Sequence, residues 1–115
     1  MKPESFLNKL GIEYFRKCEA ILKLRGMDED CYSMDLSVLA SEYARYNEAI
    51  MMGNKHGFYN QYNNGPQINA YGTMAKDAMN NIMKMSPKFG LTPKDFDAIK
   101  QMVKKEEKKS KLVGR

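Results

Sequence analysis

Lys88-Phe89-Gly90-Leu91-Thr92-Pro93-Lys94-Asp95 is a stretch in which one helix should end and another begin with almost no linker. Gly90 can take the left-handed conformation that closes a helix C-terminus. Thr92 suits the N-cap and Pro93 the first helical position, and Asp95 completes a short-armed capping box. We refer to Gly90, Leu91, Thr92 and Pro93 as the corner, and expect it to be structural.

Hydrophobic residues at three- and four-residue spacing predict an all-α fold with about four helices. We expect the helices over residues 3–25, from Ser33 or Asp35 to Gly53, over residues 69–85, and from the corner onward with Phe96, Ile99 and Val103 facing inward. The apolar stripe of the first helix includes Arg25. The third helix either stops at Met85 or kinks and continues to Phe89, because Pro87 removes a helical hydrogen bond.

A small β-hairpin or extended loop is expected between the second and third helices. Aromatic and polar residues alternate on both sides of Asn64-Gly65, a favoured hairpin turn pair. Pro66 makes the returning strand short or an edge. We predict that the two flanking helices pack as an antiparallel pair and that the hairpin projects from one end.

The length of 115 residues and the charge pattern indicate one helical domain, residues 1–103, followed by a basic, flexible tail, residues 104–115. The net charge is +5, with both ends basic, whereas residues 27–60 carry two Lys/Arg against six Asp/Glu. Such a chain could contact a polyanion with its ends, or the charge could serve solubility alone. No stretch approaches the roughly 20 apolar residues of a membrane span, and residues 1–5 lack the apolar core of a signal peptide. Two cysteines make a poor disulfide framework, so we expect a cytoplasmic protein.

Motifs of catalysis or metal binding do not stand out. There is no glycine-rich phosphate loop with its lysine, and no serine–acid arrangement surrounds His56. Cys18 and Cys31 are too far apart for a metal knuckle, and the acidic stretch at residues 27–33 lacks the spacing and glycine of a calcium loop. We therefore expect no enzymatic activity, no catalytic residue, no cofactor and no metal.

The order of these elements resembles the small terminase subunits of tailed bacteriophages, in their short helical branch. The resemblance is carried by four pieces: Leu24-Arg25-Gly26-Met27, Asp35-Leu36-Ser37-Val38-Leu39-Ala40, Asn64-Gly65-Pro66, and Phe89 with the corner. Phe89 replaces a usual leucine, Pro87 interrupts the preceding helix, and the residue after Pro93 is not the usual small one. These departures affect the expected angle between the helices.

The resemblance implies a non-enzymatic protein that assembles into a ring in the cytoplasm of a host bacterium. Small terminase subunits bind double-stranded viral DNA near the packaging start site. They present it to the large terminase subunit, whose ATPase and nuclease activities they modulate.

Candidate contacts follow from this resemblance together with the charge and hydrophobic patterns. The candidate DNA contacts are Lys9, Arg16, Lys17, Lys23, Lys104, Lys105, Lys108, Lys109 and Lys111. Residues that lie off the main helical stripes or in the loop are candidates for the subunit interface: Met51, Met52, Tyr59 and Met83. The basic tail could instead dock to the large subunit.

Two other interpretations remain open at this point. One is a small phage transcriptional regulator with a helix-turn-helix, although Asp95 and Asp97 would repel phosphate at the nearest matching turn. The other is a helical adaptor that binds only proteins.

Overall fold

The longest helix, α2 (Ser33–His56), forms the centre of the fold, and α1 (Lys9–Leu24) and α3 (Ala70–Met85) pack against it. The computed structural model describes residues 1–92, 94–95 and 98–99. The remaining described elements are a 3-10 turn at Asp30–Tyr32, strands β1 (Tyr59–Tyr62) and β2 (Gly65–Ile68), and a 3-10 turn at Ser86–Phe89. The prediction of a mostly helical protein with a small hairpin is confirmed, with three α-helices assigned in the described part of the chain.

The first helix begins later than predicted. Asn8 rather than Pro3 precedes it, and the Asn8 Oδ1 accepts a 2.7 Å hydrogen bond from the Gly11 N–H. The N-terminal segment, residues 1–8, instead crosses the helices, with the Glu4 N–H donating to the Ser37 Oγ at 3.1 Å and Leu7 buried in the core. The Asn8 side chain thus satisfies the Gly11 N–H, a donor that a helix starting at residue 3 would satisfy with its own backbone.

The predicted end of α2 at Gly53 is also wrong, since the helix continues to His56 and ends at Gly57 with φ of 86°. Gly53 is buried inside the helix, and the Phe58 ring occupies the space that a Cβ at Gly53 would need. Its glycine is therefore explained by close packing of the hairpin base rather than by helix termination.

The predicted antiparallel pairing of α2 and α3 is confirmed. At one end of the pair the His56 ring stacks on Tyr71, with centroids 5.8 Å apart. At the other end Tyr32 meets Phe89 edge-to-face at 6.3 Å. α1 packs on the same core, where Tyr14 stacks on Tyr43 at 5.3 Å. The largest fully buried side chains are Tyr43, Phe15, Leu22, Leu36, Leu39, Ile82 and Ile99.

The hairpin forms where it was predicted, with Tyr59 opposite Ile68 and Tyr62 opposite Gly65. Asn63 and Asn64 occupy the two-residue loop, and the φ of Gly65 is 103°. Neither asparagine has a positive φ, so the glycine follows the turn instead of forming its centre.

The α-helical part of α3 ends at Met85, and a 3-10 turn continues the chain to Phe89. The structure thus combines the two alternatives that Pro87 left open. Of the predicted fourth helix, Lys94, Asp95, Ala98 and Ile99 are described, all are helical, and Ile99 is buried as expected. Phe96, Val103 and the tail at residues 104–115 lie outside the described residues, as does the predicted domain boundary.

Candidate functional site

The corner has the backbone geometry that its residues predict. Gly90 takes φ of 67°, its N–H donates to the Pro87 carbonyl, and the Leu91 N–H donates to the Ser86 carbonyl, both at 3.0 Å. The Asp95 N–H donates to the Thr92 Oγ1 at 3.3 Å, and the Thr92 N–H donates to the Asp95 Oδ2 at 2.9 Å. This reciprocal pair is the capping box expected from the sequence. Pro93 lies outside the described residues.

Arg25 connects the corner to the end of α1, a role that the helical pattern did not indicate. Its Nη1 donates to the Gly90 carbonyl at 2.8 Å, and its Nη2 donates to the Asp95 Oδ2 at 3.0 Å. The Thr92 backbone N–H and then the Arg25 guanidinium lower the pKa of Asp95 below its ordinary value. One arginine thus joins α1, the end of the 3-10 turn and the start of the next helical segment.

Three of the predicted DNA contacts form a line along the outward face of α1. Lys9, Arg16 and Lys23 are seven residues apart, which is close to two helical turns, and all three are exposed. Lys17 is half-buried beside this line. At 1.5 Å per residue the line is about 21 Å long. The structure therefore brings the α1 candidates onto one surface, which we call the α1 basic face.

Arg16 also has a structural role within this face. Its Nη1 donates to the Glu19 Oε1 at 3.1 Å and to the Met1 carbonyl at 3.0 Å. The Met1 ammonium forms a 2.7 Å ion pair with Glu19. Burial alone would raise the pKa of Glu19, but hydrogen bonds from these two cations outweigh it and lower that pKa. The Glu19 charge is thus balanced locally, and the exposed cations at the two ends of the line are Lys9 and Lys23.

The tail candidates lie outside the described residues: Lys104, Lys105, Lys108, Lys109 and Lys111. The structure does not place them relative to the α1 basic face, and their role in binding stays a prediction.

The four predicted interface residues, three methionines and a tyrosine, are all exposed. The exposed fractions are 62% for Met51, 37% for Met52, 61% for Tyr59 and 50% for Met83. Other apolar side chains are exposed without having been predicted so, notably Leu24 at 89% and Met34 at 52%. Leu24 follows Lys23 in the last turn of α1, where helical periodicity alone could have placed it away from the buried stripe.

Chemical groups suited to catalysis are not assembled in the described residues. No group of three or more His, Cys, Asp or Glu side chains that could hold a metal occurs within residues 1–92, 94–95 and 98–99. Burial raises the pKa of the Cys18 thiol to about 12, and Cys18 is fully buried as a packing residue of the core. Over the same residues, no helix is both long and apolar enough to span a bilayer.

Comparison with known proteins gives one family match. A family described as phage terminase, small subunit, matches residues 13–107. These residues include most of α1 and all of α2, the hairpin, α3 and the corner. Neither the curated proteins nor the solved structures give a match.

Proposed function

Because the chain belongs to the phage terminase small-subunit family, we propose that it is the non-enzymatic DNA-recognition and assembly component of a viral packaging machine. In this role it binds double-stranded viral DNA, assembles with copies of itself into a ring, and regulates the large ATPase and nuclease subunit. It would act in the cytoplasm of the host bacterium of a tailed phage or prophage.

The α1 basic face is the observation that best supports DNA binding. Lys9, Arg16 and Lys23 point outward at a regular spacing of about 10.5 Å along a rigid helix. Lysine and arginine that neutralise phosphates release counterions, which makes binding strong at low salt and largely independent of sequence. A ring would repeat this face in every subunit, so that modest attraction per subunit becomes useful avidity.

Replacing both end lysines, Lys9→Ala with Lys23→Ala, tests this contact. Each phosphate contact contributes about 0.9 to the slope of log binding constant against log salt, so the double variant should lower that slope by about 2 per subunit engaged. Lys84→Ala is the matched control, because Lys84 is also exposed but lies on α3. The slope is measured by fluorescence anisotropy on a duplex. An unchanged slope in the double variant would show that the end lysines of α1 do not contact DNA.

Self-assembly is supported by the exposed apolar residues of α2, the hairpin and α3. Met51 and Met52 lie in the C-terminal half of α2, and Tyr59 begins the hairpin that follows it. Flexible methionine side chains adapt well to a partner surface. The acidic residues at 28–30 are exposed and could meet a basic end of a neighbouring copy.

Native mass measurement with and without a DNA duplex tests the ring and its partner together. We expect an assembly of several copies that shifts in mass when duplex is added. Met51→Lys with Met52→Lys should reduce the assembly size, whereas Met34→Lys, an exposed methionine in the first turn of the same helix, should not. A stable wild-type monomer at micromolar concentration would contradict the ring.

The tail at residues 104–115 is proposed to contact either DNA or the large subunit, and deletion separates the two. Lost DNA retention with intact stimulation of the large subunit's ATPase assigns the tail to DNA. The reverse result assigns it to the large subunit. If the protein binds no duplex near physiological salt, the interpretation as a helical adaptor is favoured. If it binds duplex but never affects the large subunit, the interpretation as a transcriptional regulator is favoured.

A further inference from the structure

The hairpin has two chemically different faces. Side chains of adjacent strand residues point to opposite sides, and directly paired residues share a side. Asn60 pairs with Gln67, so their carboxamides lie on one face with Tyr62. Tyr59 pairs with Ile68 on the opposite, more apolar face. We call the side with Asn60, Tyr62 and Gln67 the amide face.

The base of the hairpin is fixed to the helices that flank it. The Asn69 N–H donates to the Phe58 carbonyl and the Asn69 Nδ2 donates to the Gly57 carbonyl, both at 2.9 Å. The Phe58 ring packs on Gly53 at the end of α2. On the apolar face, Ile68 lies against Gly72 in the first turn of α3. These contacts orient the hairpin, while Asn60, Tyr62 and Gln67 themselves remain exposed.

The surroundings of the hairpin would accept a polyanion. Residues 49–76 contain no aspartate or glutamate, although the whole chain has 14. Lys55 precedes the hairpin near the end of α2, Lys76 follows it on α3, and both are exposed. If the hairpin entered a DNA groove, residues 49–76 would bring no carboxylate close to the phosphates that flank it.

We propose that the amide face contacts base edges in the major groove of duplex DNA and supplies sequence discrimination, an inference that rests on the DNA binding proposed above. The major groove admits a two-stranded ribbon, and asparagine or glutamine can form paired hydrogen bonds with adenine. Asn60 and Gln67 stand directly across the ribbon from each other, and the Asn60 Nδ2 lies 3.5 Å from the Tyr62 hydroxyl. The face carries no charge, so it discriminates between sequences while the α1 basic face provides salt-dependent affinity.

Selection from short duplexes of randomised sequence tests whether the amide face discriminates between sequences while the α1 basic face provides affinity. Wild-type protein should enrich a preferred sequence, and the measured quantity is the affinity ratio of the enriched duplex to the unselected pool. Asn60→Ala with Gln67→Ala should lower this ratio about five- to a hundred-fold for each of the two side chains, and should leave the salt dependence of pool binding unchanged. Gln61→Ala is the matched control, since it removes an exposed amide from the same strand but from the opposite face, and it should keep the ratio.

Several outcomes overturn the inference. An unchanged ratio in the double variant, an equal loss in Gln61→Ala, or no enrichment by wild-type protein that does bind the pool would each show that the amide face does not discriminate sequence. A smaller native mass with an unchanged ratio would assign the face to contact with a second copy. If wild-type protein binds no duplex at all, the proposed DNA-binding function fails together with this inference, which distinguishes that case from the others.

Discussion

Gly53→Ala should affect stability in opposite directions depending on whether Phe58 is present. In a helix interior, alanine is more stable than glycine by about 0.5–1 kcal/mol, so helix propensity alone predicts stabilisation. Here a Cβ at position 53 would collide with the Phe58 ring, closer than real Cβ atoms approach other side chains. The ring must therefore leave its place on α2.

The magnitude follows from the burial of Phe58, which is mostly buried in the structure. Full burial of a phenylalanine is worth roughly 1.5–3 kcal/mol, so displacing this mostly buried ring should cost about 1–2.5 kcal/mol. Set against the propensity gain, Gly53→Ala should lower the free energy of unfolding by up to about 2 kcal/mol. In a Phe58→Ala background the same substitution should raise it by about 0.5–1 kcal/mol. The difference is a coupling energy of about 1–2.5 kcal/mol, and this is the predicted quantity.

Urea unfolding of wild type, both single variants and the double variant measures this coupling. All four must be compared at one protein concentration, because assembly would add concentration-dependent stability. Distant, independent sites add to within about 0.5 kcal/mol. A coupling below that limit would show that Phe58 does not rest on Gly53, and the anchoring of the hairpin base would be wrong.

Three further predictions concern the corner and the cysteines. Thr92→Ala should lower the free energy of unfolding by about 1 kcal/mol through the lost cap, with DNA binding unchanged; lost binding in a folded, correctly assembled variant would contradict a structural role. Hydrogen bonds hold the pKa of folded Asp95 below its ordinary value of 3.8. The contribution of Asp95 to stability should therefore be complete above pH 3.8 and should decline as the pH falls through the pKa of the folded state. Asp95→Asn should weaken this acid dependence of the free energy of unfolding, as measured by urea unfolding. Iodoacetamide should modify exposed Cys31 in the native protein and spare buried Cys18 until unfolding, as mass spectrometry would show; equal labelling would contradict the burial.

The corner and the end of α1 could be predicted because their interactions are local. The Gly90 N–H donates back to the Pro87 carbonyl, and Thr92 and Asp95 satisfy each other's backbone N–H groups. The same holds for Gly26, which ends α1 with φ of 70° and with the Met27 N–H bonded to the Leu22 carbonyl. Short-range hydrogen bonds of this kind depend on the identities of neighbouring residues and little on the rest of the fold.

The end of α2 was mispredicted because a glycine has two structural uses. A glycine after a helical stripe usually indicates a C-terminus. Gly53 instead provides room for Phe58, and this use depends on how the hairpin folds back onto the helix. Gly57, four residues beyond the predicted end at Gly53 and followed directly by the aromatic stretch, has the positive φ that ends the helix.

The α1 basic face and the amide face differ in how far the sequence alone specifies them. The seven-residue spacing of Lys9, Arg16 and Lys23 is present in the sequence, and the helix places all three on one exposed line. The two faces of the hairpin depend on strand register, which pairs Asn60 with Gln67. Because a slip of one residue would exchange the faces, the alternation of aromatic and polar residues alone could not specify the amide face.

By itself, the sequence determined the mostly helical class, the hairpin between two helices, the corner with its capping box, and the resemblance to a family that the matched residues confirm. Each of these depends on periodicity or on contacts between near neighbours. The tertiary structure alone decided that Arg25 joins the corner to α1, through partners 65 and 70 residues away. Such contacts require that distant segments already lie side by side, and that arrangement comes from burying the core shared by α1, α2 and α3.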